Sequence, residues 1–301
     1  NDTLMSFRDQ SGVTDFTMED IVRGVLCIGS TGSSKTTSSG YKLASGCLRC
    51  DVGMLVLCVK DSEAKRFLNY CNETGRTKDV IHVKPNGHYK FDFLQYEGQP
   101  RYDGKTITSN AVAVLKAIIN ADKESQGRSN EAYWDNALDE LLTNTVDLCL
   151  LAEGSVTVEL MYQIISSAPK ATDEPLSEAF DKQFIAMMQS ARLNVDNEVF
   201  TYVDNLSLME KERLKDPVVF DRKIRRRFDK VRMLNRIDNF FFHSYRFLNH
   251  KTRGIVESSF SGLLFRLLQE PIFSLFCSGE TNFRPEDVFA GRIIILDIPL
   301  L

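Results

Sequence analysis

The sequence predicts an α/β protein: a parallel sheet with helices on its faces, interrupted by an all-helical domain. Three observations lead there. Short apolar runs at 22–29, 53–60 and 79–85 alternate with helical patterns, as strand–helix–strand units do. From about Ser109 to His250 the chain shows amphipathic helical periodicity almost throughout. The run "GRIIILDIPLL" at 291–301 then returns to a buried strand. The expected organisation is a first core segment at 1–108, a helical insertion at 109–250 and a return to the core at 251–301.

Residues 1–20 are polar and mixed and read as a leading segment. "VRGVLCIG" (22–29) reads as a buried strand meeting a tight turn, because an apolar run ends in glycine. Beyond Lys35, Leu43, Cys47 and Cys50 recur at helical intervals. "GMLVLCVK" (53–60) is a second strand. The helix "DSEAKRFLNYCNETG" (61–75) follows, with Asp61 and Ser62 suited to its N-cap and Gly75 to its end. "DVIHVKP" (79–85) is a third strand, with His82 and His88 flanking a turn. In the insertion, "NAVAVLKAIINA" (110–121), "YWDNALDELLTNTVDLCLLAEG" (133–154) and "VELMYQIISSA" (158–168) are the clearest helices. Within the second of these, "LDELL" (138–142) reads as a solvated face. Residues 251–276 are helical up to Pro271, and "RPEDVFAG" (284–291) is a short helical turn before the last strand.

With 301 residues the chain is long enough for a sizeable core and two structural units. No apolar run approaches the roughly 18 residues of a membrane span, and no signal peptide is present. The chain starts at Asn1 without methionine and reads as a piece of something longer. Seven scattered cysteines fit reduced thiols in a cytosolic protein. The Cys47/Cys50 pair lacks a second pair at zinc-site spacing, so no metal role is assigned to it. A net charge of −4 argues against a broad basic surface for nucleic acid, though not against a local one.

The chemistry concentrates in "GSTGSSKT", Gly29 to Thr36. Its spacing follows the phosphate-loop pattern G-x-x-x-x-G-K-[ST], with Ser34 where the pattern has glycine. Such a loop turns its backbone N–H groups onto phosphate oxygens, and the helix that follows adds its positive end. The expected ATP-binding residues are Gly29, Ser30, Thr31, Gly32, Ser33, Ser34, Lys35, Thr36 and Thr37. Lys35 reaches the β- and γ-phosphates, and the Thr36 hydroxyl meets Mg²⁺. Where the Ser34 position requires positive φ, serine costs about 1–2 kcal/mol, or about tenfold in affinity. Where it is helical, serine costs little. The competing reading of the stretch is a helix N-terminus with a Ser/Thr-rich cap. Asp297, ending the run "IIILD", is either a magnesium carboxylate or a cap of the strand end or the partner of Lys60 or another basic residue.

Five blocks in order resemble one group of P-loop ATPases: "GSTGSSKTTSSGYKLA", "GMLVLCVKDSEA", "YWDNALDELLTNTVDLCLLA", "KTRGIVESSFSGLL" and "RPEDVFAGRIIILDIPLL". The chain is similar to the FtsK/HerA-type superfamily and, within it, to the TraG/TraD-like coupling ATPases of type IV secretion and conjugation. The resemblance implies a RecA-like P-loop NTPase sheet with an inserted all-α domain. It also implies ATP and Mg²⁺ as cofactors and a hexameric homo-oligomer that moves DNA or a DNA–protein substrate. A secretion-channel partner or protein effector, and a cytoplasmic location at the inner face of the membrane, follow from the same resemblance. Gly29, Gly32, Lys35 and Thr36 take the loop roles, and Lys60 matches a lysine after the second strand. The family's Asp-Glu pair lies on a later strand than the one resembling "IIILDIPLL", which weakens Asp297 as a metal ligand. Arg253 is a weak match for an arginine finger and suits a structural or substrate contact better. A nucleotide-regulated assembly or defence ATPase without processive transport is the alternative, and a degenerate homologue that binds nucleotide weakly a further one.

One local basic stretch stands out. "DRKIRRRFDKVRMLNR" (221–236) carries eight basic residues against two acidic ones, with Ile224, Phe228 and Met233 forming an apolar face. It reads as a single amphipathic helix. Arg222, Lys223, Arg225, Arg226 and Arg227 are the candidate DNA contacts; the competing reading is a solvated or paired face. The aromatics of "NFFFHSYRF" (239–247) have the spacing of core residues.

Overall fold

Two units account for the chain in the computed structural model, which describes residues 3–9, 12–28, 30, 37–98, 107–125, 132–170 and 183–298. The first comprises Asn1–Phe91 and Glu280–Leu301, the second Asp92–Gly279. The second unit therefore takes in residues 92–108 and 251–279 besides the expected insertion.

The first unit is built on a parallel sheet of β3 (Met54–Cys58), β4 (Val80–Val83) and β5 (Ile293–Asp297), in the order β3-β5-β4. Met54, Ile293 and Val80 share one register row, as do Leu55, Ile294 and Ile81. All three strands are the apolar runs read from the sequence. Period-two alternation places Val56, Cys58, Ile293 and Ile295 on one face. There they pack with Leu48 of α2 (Ser39–Arg49) and with Ala64 and Cys71 of α3 (Asp61–Glu73). The N-cap of α3 is Lys60, not Asp61 or Ser62; Glu63 accepts hydrogen bonds from the backbone N–H groups of Val59 and Lys60 at 3.1 and 3.3 Å. On the other face Ile81, Val83 and Ile294 are buried, while Leu55 and Leu57 are exposed. Arg76 is buried beneath the sheet's amino end. It donates to the carbonyls of Leu48 and Gly291 at 2.9 and 2.6 Å and to Asp79. That contact holds the Asp79 carboxyl below its usual range.

Two further features of this unit depart from the sequence reading. The leading segment is a hairpin, β1 (Thr3–Asp9) with β2 (Gly12–Thr17), and β1 lies on α2. Gly46 permits that approach: a Cβ there would stand 2.5 Å from the Leu4 carbonyl oxygen. The run at 22–29 is not a buried strand in its described part. Val22 ends a short helix, α1 (Met18–Val22), and Gly24 turns the chain at φ +86°. Residues 24–28 then run irregularly with Leu26 and Ile28 83% and 85% exposed. Among the described residues no strand pairs with them, so apolarity alone has no ladder to enter.

Gly53 precedes β3 where the chain passes tightly against the last turn before β5; a Cβ there would overlap the Val288 carbonyl oxygen. Both clashing groups are backbone, so neither can rotate away. Gly53→Ala is expected to lower stability by about 2–3 kcal/mol, a large value among point variants. A urea midpoint equal to wild type would contradict this.

The second unit is helical: α4 (Phe93–Glu97), α5 (Ile107–Ser125), α6 (Ala132–Glu153), α7 (Val158–Ser166), α8 (Gln183–Asp204), α9 (Leu208–Arg213), α10 (Pro217–Arg227), α11 (Asp229–Asp238), α12 (His250–Leu267) and α13 (Ile272–Phe276). A π-helical turn, Asn239–Ser244, joins α11 to the segment before α12. The apolar periodicity of these helices builds one core around α6. Leu138, Leu141, Leu142, Val146 and Cys149 meet Leu115, Met161, Phe184 and Phe260 in it. The stretch 138–142 is thus not a solvated face; three leucines point inward and Glu140 points out. Phe240, Phe241 and Tyr245 are buried as their spacing implied, while Phe247 is 63% exposed. Caps fix the helix starts: Thr157 for α7, Ser207 for α9, and Asp216 with Pro217 for α10. Asp92 caps α4 and also accepts from the Gly279 N–H at 2.8 Å, which ties together the two ends of the unit. Among the described residues no single helix is long and apolar enough to cross a membrane.

Candidate nucleotide site and basic cleft

The phosphate-loop stretch enters α2 after a turn at Thr37–Ser38. Of the expected ATP-binding residues, Ser30 and Thr37 are described, and both are exposed. Gly29, Thr31, Gly32, Ser33, Ser34, Lys35 and Thr36 lie outside the described residues. The first turn of α2 carries no acidic side chain, so the positive end of the helix is not offset by one.

Ligands of parallel α/β sheets sit beyond the carboxyl ends of the strands. Four side chains stand toward that end here. Lys60 follows β3, is exposed, and makes no ion pair among the described residues. Asp297 ends β5, and its Oδ2 lies 3.0 Å from Nε2 of His82 on β4. Both side chains are about four-fifths buried, with 20% and 23% exposed. The basic partner of Asp297 is thus His82 rather than Lys60; His82 lies within β4, and the turn at 85–86 separates it from His88, as read from the sequence. Cys58 stands opposite Asp297 in the β3–β5 register. Burial, and after it the charges of Asp297 and Glu63, push its thiol up to about 11. Among the described residues no three His, Cys, Asp or Glu side chains gather as a metal site. Mg²⁺ with a bound nucleotide needs only one or two carboxylates besides phosphate oxygens and water. Asp297 fits that demand in chemistry and position, but it is already hydrogen-bonded.

Arg253, the weak match for an arginine finger, is buried in the second unit. Its guanidinium donates to the carbonyls of Pro169 and Ala168 at 2.6 and 3.1 Å and to Glu257 at 2.7 Å. It also lies 4.4 Å from the ring centre of Tyr245. Every donor edge is engaged, which makes it structural.

The basic stretch is two helices, not one. Phe228 is extended at φ −109°, ψ 106° and separates α10 from α11. The basic residues divide accordingly. On α11, Lys230 pairs with Glu198 at 2.7 Å, Arg232 with Asp229, and Arg236 with Asp147. On α10, Arg222, Lys223, Arg226 and Arg227 line a cleft of about 570 Å³ together with Val219 and Tyr202 of α8. The side chain of Arg225 lies outside the described set. Sequence reasoning missed Tyr202, because nothing local to it marks its approach to α10.

Comparison with protein-family models, with curated proteins and with solved structures finds no match to this chain.

Proposed function

We propose that this chain is the ATP-binding core of a nucleic-acid motor of the conjugative-coupling type, with a RecA-like first unit. One observation carries the reading: a parallel sheet receives the chain through α2 directly after a stretch whose sequence has the phosphate-binding pattern. In this reading Gly29–Thr37 wrap the phosphates, Lys35 binds the β- and γ-phosphates, and Thr36 with a carboxylate holds the metal. Mg²⁺, when bound, would supply charge neutralisation to the phosphates. Lys60 stands at the same sheet end as a second cation for the phosphates. The working form is a cytoplasmic homo-oligomeric ring with DNA, or DNA and protein, as substrate. The test is ATP hydrolysis by this protein with and without DNA, beside Lys35→Ala. DNA-stimulated turnover lost in the variant supports the motor.

A second reading has its own observation. Asp297, the carboxylate that ends β5, already has its Oδ2 hydrogen-bonded to His82, which competes with its use as a metal ligand for hydrolysis. A nucleotide-gated assembly or defence ATPase then binds ATP and oligomerises without processive transport. Tight binding without DNA-stimulated turnover selects it.

Cys27 gives a readout that does not depend on activity. It is exposed and lies two residues before Gly29, whereas Cys47, Cys58, Cys71, Cys149 and Cys277 are buried. Burial raises the Cys47 and Cys71 thiols, and raises Cys277 to about 12. A thiol reagent near pH 8 is therefore expected to reach Cys27 first, with half-buried Cys50 behind it. Bound ATP is expected to slow modification of Cys27 severalfold. An unchanged rate at saturating ATP would count against nucleotide at this loop.

A further inference from the structure

We propose that the cleft between α8 and α10 is a nucleic-acid site that reads phosphates and not bases. It rests on the nucleic-acid half of the reading above and not on ATP. Arg222 and Arg226 are exposed, one helical turn apart, and have no ionic partner among the described residues. Lys223 is held only loosely, with Nζ 3.9 Å from Glu210. The remaining basic side chains described in the stretch, on α11, are already paired. Among the described side chains of 221–236, the cleft thus collects the cations that are left to meet an anion.

The chemistry of the lining narrows the anion. Guanidinium groups present planar, forked donors that match phosphate oxygens. Among the described residues no acidic side chain lines the cleft. Its apolar content is Val219 and the Tyr202 ring, which is little anchor for a protein partner; protein interfaces draw their affinity from buried aromatic and aliphatic hot spots. Nucleic-acid interfaces are more polar and more positive. Tyr202 in turn is not open for base stacking. The Arg227 guanidinium lies 4.4 Å from its ring centre, and Phe228 packs against it at 5.3 Å. The ring's role is to hold Arg227 in place. A site with several cations free to meet phosphate and its aromatic ring already engaged binds the backbone and leaves base identity unread.

The test is fluorescence anisotropy with three probes of equal length: labelled oligothymidylate, labelled oligoadenylate and a labelled mixed-sequence duplex, each titrated across a potassium chloride series. Wild type is expected to bind both single strands with similar affinity. The Arg222→Gln/Arg226→Gln variant is expected to lose at least about tenfold in affinity, with the slope of log K against log salt smaller by about two. Arg226→Gln alone is expected to lower the slope by about one. Lys35→Ala is expected to leave DNA binding unchanged, which separates this site from the ATP site. The proposal is overturned by no binding at low salt, or by wild-type slope and affinity in natively folded variants. A strong preference between thymine and adenine strands overturns the backbone-only reading. Competition by polyglutamate as effective as by unlabelled oligonucleotide assigns the cleft to an acidic protein instead and also overturns it.

Discussion

Replacing Lys35 by alanine is expected to weaken ATP binding roughly tenfold to a hundredfold and to stop turnover. The lysine ammonium makes charge-assisted hydrogen bonds to phosphate, and such bonds contribute about 1.5–3 kcal/mol each. Turnover falls further than binding, because charge on the transferring phosphoryl group is stabilised most in the transition state. The variant is expected to fold as wild type, since it shortens one polar side chain in a Ser/Thr-rich stretch and removes no apolar residue. Binding is read by isothermal calorimetry and turnover by phosphate release. A variant that binds and hydrolyses ATP as wild type does would assign the stretch to helix capping.

Arg253→Met is expected to destabilise the second unit by about 3–5 kcal/mol, as removal of one member of a buried pair does. That is a large share of the 5–15 kcal/mol by which a domain is folded. The loss has three parts. Glu257 keeps its charge beside an apolar side chain, the carbonyls of Ala168 and Pro169 lose their donors, and the Tyr245 ring loses its cation. Burial raises the Tyr245 phenol above its ordinary range, so it stays protonated and donates to Glu257 at 3.1 Å. It cannot replace the guanidinium charge. Adding Glu257→Gln to Arg253→Met is expected to recover part of the loss. The measurement is the urea midpoint of the single and double variants. A catalytic arginine would behave oppositely, with wild-type stability and reduced turnover.

The sheet was legible because its strands are short, nearly continuous apolar runs bounded by turn and helix signals. Val56, Cys58, Ile293 and Ile295 are buried as such runs require. The helical unit was legible from periodicity for the same local reason, and its limits were less so. Asp92 closes the unit on Gly279 across 187 residues, and no window of sequence shows that bond. The hairpin at 3–17 was missed because β2 is polar and largely exposed, and one buried residue of β1, Leu4, makes no alternating pattern that marks a half-buried sheet. The run at 22–29 was misread because apolar composition reports a wish for burial, not a partner strand. The basic stretch looked continuous because Ile224, Phe228 and Met233 keep helical spacing through the break at Phe228. At the candidate sites, the phosphate-loop pattern and the cation cluster are local and visible. The His82–Asp297 and Arg227–Tyr202 contacts join distant elements and emerge only in the fold.

The measurement that bears most directly on the central claim is a calorimetric titration of this protein with ATP and Mg²⁺, run in parallel on Lys35→Ala. Nucleotide binding at the Gly29–Thr37 loop predicts saturable heat from wild type and a strongly weakened isotherm from the variant. Identical isotherms, or no heat from either protein, would contradict it.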